Sequence, residues 1–376
     1  MSGIYIHIPF CRKACHYCNF HFSTSLTSVD GMIEAIDKEI RMRATPSMQQ
    51  VNTIYFGGGT PSIIDPEKIS ELIATIRSRF TVDPEAEITL EANPDDINMK
   101  NALAWKAMGI NRFSIGIQSF SEENLQWMNR AHNAQQSIDC INIIRTAGFN
   151  NFSIDLIYGT PMQDQRSWED DLKLAIELKV PHLSCYALTV EEGTALHEMI
   201  KKKKRTDVSP DEQAERFNSL VTMTRQSGYL HYEISNFALP GMESKHNSAY
   251  WQGKPYMGFG PAAHSFQGNT RSWNVSNNMK YIRSIQESIL PSEHEELSSI
   301  ELLNEYIMTG LRSSSGIHRL RIIDQWGMDC LNKIENEMKP WLYSGKLLET
   351  ESGWVLSESG KFFADGIAAS LFLLKH

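Results

Sequence analysis

Two stretches of this chain nearly repeat each other, GINRFSI at 109–115 and GFNNFSI at 148–154. Each has its glycine at the end of a helical pattern and its phenylalanine at the start of an apolar run. A glycine there is the expected helix terminator. The repeated unit is therefore helix end, turn, strand. Units of this kind build a parallel sheet, because a parallel neighbour is reached only through a crossover. Six short runs rich in Ile, Phe, Tyr or Thr read as strands: Ile4–Ile8, Thr53–Phe56, Glu87–Ala92, Arg112–Ile117, Phe152–Ile157 and His182–Leu188. Between them lie helical spacings, such as Ile69, Leu72, Ile73, Ile76 and Phe80, or Ile33, Ile36 and Ile40, or Ile138, Ile141 and Ile144. Asp65-Pro66 reads as an N-cap followed by proline in the first turn. Six units fall short of an eight-fold barrel. The expected fold is α/β, a partial (β/α)6 TIM-like barrel whose site lies at the carboxyl ends of the strands.

Beyond residue 190 the rhythm weakens. A helix over 211–227 and a strand over Tyr229–Ile234 are expected. The stretch 236–276 is rich in Gly, Pro, Asn, Ser and aromatics, and reads as loops that carry function. Helical patterns over 300–312, 318–325 and 330–343 precede GKLLETESGWVLSESG, which reads as a hairpin, and a last helix. That order is a small winged-helix-like α+β unit. The chain divides into a core over 1–235, a loop-rich connecting region over 236–290 and a C-terminal unit over 291–376. The last holds 13 Asp and Glu against 8 Lys and Arg, so a packing or partner role is expected of it and not DNA binding.

Charge and hydropathy exclude other classes. The net charge of −9 disfavours a nucleic-acid partner, which needs clustered cations. The basic run Lys201–Arg205 reads as a solvated segment. No apolar run of 18 residues occurs, so no membrane span is expected. GIYIHIPF at the start resembles a strand and lacks the layout of a secretory signal. A cytoplasmic location is the expectation.

Of the six cysteines, Cys140, Cys185 and Cys330 stand alone and read as small buried hydrophobes. The other three, Cys11, Cys15 and Cys18, form C-x3-C-x2-C in YIHIPFCRKACHYCNF. Thiolates take soft metals. Three on one tight loop suit a [4Fe–4S] cluster with one iron left open. The alternatives are a zinc site completed by His16 or His21, or three free thiols. Further along, YFGGGTPS at 55–62 ends the second strand with glycines that admit close backbone approach. Glu91 and Asp155 interrupt apolar strands, where a carboxylate is costly unless paired. Each is a site candidate or a paired structural acid. Gln118 in GIQSF and Arg130 in NRAH join them, and an arginine fork matches a carboxylate.

C-x3-C-x2-C is the signature of the radical S-adenosylmethionine (SAM) superfamily, which this sequence resembles. The resemblance implies that the open iron chelates the methionine moiety of SAM, and that an electron from the cluster cleaves the S–C5′ bond to give a deoxyadenosyl radical. The motifs HIPFC, GGGTP, EANP, GIQSF, NRAH and DLIYGTP occur in the order of the group that contains the oxygen-independent coproporphyrinogen III oxidase HemN and the heme chaperones HemW. On that resemblance Tyr5, Tyr17, Gly58, Gly59, Thr60, Glu91, Gln118, Arg130, Asp155 and Ala187 match positions that contact SAM or the cluster. Tyr17 would lie beside the adenine. The glycine turn would bind the amino group, Arg130 the carboxylate, and Glu91 the ribose hydroxyls or the amino group.

Departures from the oxidase point to the chaperone branch. The oxidase has a fourth cysteine two residues after the third, where Phe20 stands here, and a long extension before the cluster, whereas His7 is the seventh residue here. HNSAYW at 246–251 fits the chaperone branch's H-N-x-x-Y-W, as does GFGPAAHS at 258–265, where His264 replaces an apolar residue of the oxidase. His246 is the candidate heme ligand, with Tyr250, Trp251, Phe259 and Phe266 to flank a porphyrin; packing is the other role for such a histidine. His7 shares a strand face with Tyr5 and points inward to orient the cluster loop or to pack. The function implied is binding heme and delivering it to heme-requiring proteins of respiratory type, with an electron donor as a further partner. The rival is oxidative decarboxylation of coproporphyrinogen III. A HemN-like radical methyltransferase and a zinc-stabilised binding module are further alternatives.

Overall fold

The computed structural model describes residues 2–44 and 50–374. Strands β1 (Ser2–Ile8), β2 (Val51–Gly58), β3 (Val82–Ala92), β4 (Arg112–Gln118), β5 (Phe152–Tyr158) and β6 (His182–Ala187) lie side by side in chain order. Each pairs in parallel with the next. A helix follows each of the first five, as over Val29–Arg43 after β1 and Pro66–Arg79 after β2. The two nearly repeated heptapeptides enter β4 and β5 and sit in register, Phe113 opposite Phe152 and Ile115 opposite Ile154. Their glycines, Gly109 and Gly148, have φ of 101° and 86°. That is the left-handed conformation which ends the preceding helices. Asp65 caps its helix by accepting the Glu67 N–H, with Pro66 in the first turn.

The side-chain alternation of these strands sets up the site. In β1, Ile4, Ile6 and Ile8 are fully buried in the main apolar cluster with Ile33, Ile36, Ile69 and Ile73 of the helices. Tyr5 and His7 therefore point to the other face, because successive strand residues alternate. Most parallel sheets are apolar on both faces. Here the concave face is polar, with Tyr55, Glu91, Ser114, Asp155 and Ser184 in addition. Glu91 stands in register with Ser114, and Asp155 with Ser184. A polar inner face in a parallel sheet marks space for a ligand and not for a packed core.

Six further strands extend the sheet at both ends: β7 (Leu230–Glu233), β8 (Asn236–Ala238), β9 (Tyr256–Phe259), β10 (His264–Gln267), β11 (Thr270–Asn274) and β12 (Ser292–Glu296). The order is β12-β11-β10-β9-β1-β2-β3-β4-β5-β6-β8-β7. β9 runs parallel to β1, and β8 antiparallel to β6. The stretch 236–276, expected as loops, thus holds four short strands and the helix Lys245–Trp251. The strands have three to five residues, too few for a period of two to register against the turn residues around them.

The C-terminal part has its own apolar core, including Leu303, Ile307, Ile322, Ile334 and Trp354. Helices Ser299–Leu311, Arg319–Trp326 and Met328–Tyr343 pack on a three-stranded sheet of Ile317–His318, Gly353–Leu356 and Leu347–Glu349. This is the winged-helix-like order expected. Lys201–Lys204 are exposed, while Arg205 reaches back to donate to the Trp127 carbonyl. Among the described residues no helix is long and apolar enough to cross a membrane.

Candidate functional site

The cysteine loop leaves the carboxyl end of β1 and is held from three directions. Thr60 N–H donates to the Phe10 carbonyl at 2.7 Å, and Gly59 N–H to that of Ile8 at 2.9 Å. Arg12 pairs with the buried Asp96 at 2.9 Å. Asn129 donates to the Ala14 carbonyl at 2.7 Å, and His16 N–H to that of Met128 at 3.2 Å. The exit loops of β2, β3 and β4 therefore fix the geometry of residues 10–16.

Cys11, Cys15 and Cys18 are half-buried and free of disulfides. The Thr60 hydroxyl lies 3.4 Å from Cys11 Sγ, and Arg130 Nη1 lies 3.1 Å from Cys15 Sγ. A hydroxyl and a guanidinium directed at sulfur are what an anionic thiolate cluster requires. Burial, with the neighbouring cysteines adding, pushes the Cys11 thiol up to about 11 and raises Cys18 as well. Bound iron would reverse that, since a coordinating thiol is deprotonated. Among the described residues no three His, Cys, Asp or Glu converge on a single ion. A cluster does not ask for that, because each thiolate binds a different iron. His16 and His21 are turned elsewhere. His16 Nδ1 donates to the Trp127 carbonyl and His21 Nε2 to Asn278 Oδ1.

The glycine turn explains itself through its neighbours. Gly58 has φ of 108°, and a Cβ there would lie 2.6 Å from the His7 ring; at Gly59 one would lie 2.5 Å from the Phe10 carbonyl. The turn is thus pressed against β1 and its loop. His7 is fixed in turn: Nε2 donates to the His21 carbonyl at 3.0 Å, and Nδ1 accepts from Tyr5 at 3.1 Å. Burial lowers the His7 pKa to about 4, so it is neutral at physiological pH.

Glu91 accepts from the Tyr55 hydroxyl at 2.8 Å and from the Gly58 N–H at 3.0 Å. Burial, with the Asp155 carboxylate adding, raises its pKa to about 7 in spite of both bonds. Asp155 accepts from Ser114 at 3.2 Å, and burial raises it to about 6. Two carboxylates held up in this way face one polar space.

Arg130 closes the side opposite. Nη2 donates to Asn93 Oδ1 at 2.7 Å and to the Gly116 carbonyl at 2.6 Å, while the buried Nε has no partner. The Tyr17 hydroxyl lies 3.5 Å from Nη1. Gln118 ends β4 at φ 69°, a strained conformation for a residue with a side chain. Ala187 ends β6 and is exposed. Hydrogen bonds thus join Arg130 to Asn93, Gly116, Cys15 and Tyr17, and Glu91 to Tyr55 and Gly58. Asn93 and Tyr55, which orient Arg130 and Glu91, carry no mark in the sequence that singles them out, although Asn93 sits inside the EANP motif.

The Tyr55 ring links His246 to Glu91. His246 is 2% exposed, on the helix Lys245–Trp251. Its Nδ1 pairs with Thr53 Oγ1 at 2.7 Å and its Nε2 with the Tyr250 hydroxyl at 3.0 Å, and its ring stacks on Tyr55 at 4.9 Å. Glu87 accepts the N–H groups of Lys245 and His246 at the start of that helix. With both ring nitrogens engaged, coordinating a metal would cost one of those bonds. His264 pairs across the sheet with Trp273 and is exposed.

The radical SAM superfamily pattern matches residues 5–175. The heme chaperone HemW of Bacillus subtilis is 33% identical over 98% of both chains. The chain belongs to the HemW family of radical SAM proteins. The heme chaperone HemW of Escherichia coli is 31% identical, covering 99% of this chain and 98% of its own. In fold, the chain resembles the coproporphyrinogen III oxidase HemN of Escherichia coli, with a TM-score of 0.85, 24% identity, and coverage of 99% of this chain and 90% of that one. The HemW likeness runs through the helix of His246 and the C-terminal unit as well as the barrel.

Proposed function

We propose that this chain binds heme and delivers it to heme-requiring proteins, with a [4Fe–4S] cluster on Cys11, Cys15 and Cys18 and SAM held at the strand ends. The observation that carries the reading is the end-to-end likeness to heme chaperones, 98% of both chains for the Bacillus subtilis protein. Phe20 supports it. It is 68% exposed at the position of the oxidase's fourth cysteine, and so offers no thiol beside the cluster loop.

A cluster held there would supply one-electron reduction and an open iron position. The chain's own residues do the rest. Arg130 supplies a positive charge beside Cys15 for a carboxylate, while Asn93 and Gly116 fix its plane. Tyr17 packs against the small apolar cluster that includes Leu125, Met128 and Leu196, and offers a flat face for an adenine. Glu91 and the Gly58–Thr60 turn offer acceptors to hydroxyl or ammonium groups. Tyr5, Gln118, Asp155 and Ala187 complete the rim. The working partners in this reading are heme, a respiratory-type acceptor and an electron donor, in the cytoplasm.

Anaerobic reconstitution followed by hemin titration tests it. The expected result is stoichiometric heme binding and transfer to an apo-cytochrome. Absence of heme binding overturns the reading, and conversion of coproporphyrinogen propionates to vinyl groups would move the chain to the oxidase class.

A further inference from the structure

The helix Ala195–Lys201, with the basic run at its end, is fastened to the cysteine loop. The Leu196 N–H donates to the His16 carbonyl at 2.7 Å, and His16 stands between Cys15 and Cys18. Leu196 lies in the small apolar cluster on which Tyr17 and Ile200 also pack. From Leu196 to Lys201 is about 7.5 Å at the rise of a helix. A second tether follows the run. The Trp127 carbonyl accepts from Arg205 Nη1 at 2.6 Å and from His16 Nδ1 at 3.0 Å. The Arg205 guanidinium also lies 4.4 Å over the Trp127 ring. Three residues on, the Arg130 carbonyl accepts from Lys13 Nζ at 3.1 Å. The cysteine loop and the basic run are thus held at one turn, residues 127–130.

Arg205 is taken up by this tether, but the four lysines before it are exposed. Lys202 pairs with Glu198 at 3.0 Å, and Lys201 acts on the same carboxylate from further off. Lys203 and Lys204 form no ion pair among the described residues. Lys203 also ends the helix, with φ of 55°. The N–H groups of Lys203 and Lys204 return to the carbonyls of Ile200 and Met199, each at 2.8 Å. Glycine is the usual residue at the left-handed position of such a stop. The favourable field at a helix end accounts for a cation in the last turn. It does not account for a lysine where glycine is easier. The chain as a whole carries a net charge of −9. Another acidic protein is repelled by most of such a surface and meets it where cations are concentrated.

We propose that Lys201, Lys203 and Lys204, with Lys13 held at the same turn, are the docking surface for a small acidic protein that carries single electrons to the cysteine loop. The proposal rests on the reading of Cys11, Cys15 and Cys18 as cluster ligands, and gives the electron donor of that reading a place. Electron transfer weakens steeply with distance, so a carrier has to sit over the loop that holds the cluster. The run is fastened to that loop through Leu196 and Arg205. In the transfer the carrier is oxidised by one electron and the cluster reduced by one, and no bond or proton moves. The lysines act before that step. They steer the encounter and fix its place, which is the main use of rim charges at an interface.

The test uses the anaerobically reconstituted protein, with an acidic flavodoxin as the probe carrier. Mixed in stopped flow with the flavodoxin hydroquinone, the cluster band at about 400 nm is expected to bleach. Its second-order rate constant is expected to fall steeply with added salt. In the variant that combines Lys201→Glu, Lys203→Glu and Lys204→Glu, the rate constant at low salt is expected to drop about tenfold or more, and to lose most of its salt dependence. Reduction by the methyl viologen radical cation is expected to be no slower in that variant than in the wild type. Fluorescence anisotropy of dye-labelled flavodoxin, which needs no cluster, is expected to show weaker association with the variant. Iron content and circular dichroism report that the variant is intact. A wild-type rate and wild-type association with flavodoxin in the variant overturn the docking surface and leave the cluster reading in place. Equal slowing with flavodoxin and with viologen overturns it too, because the lysines would then act on the cluster and not on the encounter. Wild-type protein that takes up no iron and has no band to bleach overturns the cluster reading, while the anisotropy still reads the surface.

Discussion

Glu91→Gln is expected to stabilise the SAM-free protein, and to do so more strongly as pH rises. Burial lifts the folded-state pKa of Glu91 from 4.5 to about 7. A raised carboxyl pKa means that the folded state keeps a proton which the unfolded chain has lost. Stability is therefore unaffected by this group below about pH 4.5. It falls as pH rises toward 7, and the full loss is present above 7. Every pH unit separating the folded and unfolded values is worth about 1.4 kcal/mol, so the cost is about 3 kcal/mol at pH 8. Glutamine removes the charge and can keep both bonds. Its oxygen accepts the Gly58 N–H, and its amide donates to the Tyr55 hydroxyl, which accepts equally well. Relief of Asp155, which shares the space, acts in the same direction. The expected rise in thermal midpoint at pH 8 is roughly 3–6 °C, shrinking to nothing near pH 4.5. Thermal unfolding of both proteins across pH 4.5–8, without SAM, measures it. SAM affinity is expected to fall in the same variant. A variant that is no more stable than wild type at pH 8, or a difference that does not grow with pH, refutes the assignment of Glu91 as a carboxylate held at a cost for ligand binding.

Three other perturbations follow from the same geometry. Arg130→Lys keeps the charge but loses the fork that reaches Asn93, Gly116 and Cys15, so SAM affinity by calorimetry should fall about tenfold or more while iron content holds. Gly58→Ala forces a Cβ into the His7 ring at a left-handed φ, and should cost about 2–4 kcal/mol in chemical denaturation. Cys18→Ser should lose most bound iron and sulfide together with the absorbance near 400 nm, at a helix content unchanged by circular dichroism.

Much of the barrel was legible because the chain repeats one unit. Ile4, Ile6 and Ile8 announce a strand with one buried face, and the Gly109 and Gly148 turns announce its neighbours. β1 to β6 accordingly fall within a few residues of their expected bounds. The strands of 236–276 were not legible, since pieces of three to five residues take their shape from the sheet edge they join and not from their own pattern. In the site, Glu91 and Asp155 stood out as acids in apolar strands, and Arg130 in NRAH as a fork that matches a carboxylate. Their partners did not. Tyr55 and Asn93 look like ordinary strand and turn residues until the fold brings the Tyr55 hydroxyl to Glu91 and Asn93 to Arg130. His246 shows the opposite limit. Its motif marked it as a ligand candidate, but only the fold reveals that Thr53 and Tyr250 occupy both nitrogens.

The most direct test of the central claim is heme transfer. Anaerobically reconstituted protein, loaded with one equivalent of hemin and freed of excess, is mixed with an apo-cytochrome, and the Soret spectrum is followed. Heme is expected to move to the acceptor, whose spectrum replaces that of the donor. Heme that never binds, or that stays bound to an intact cluster-containing protein in the presence of every acceptor and reductant offered, would contradict it.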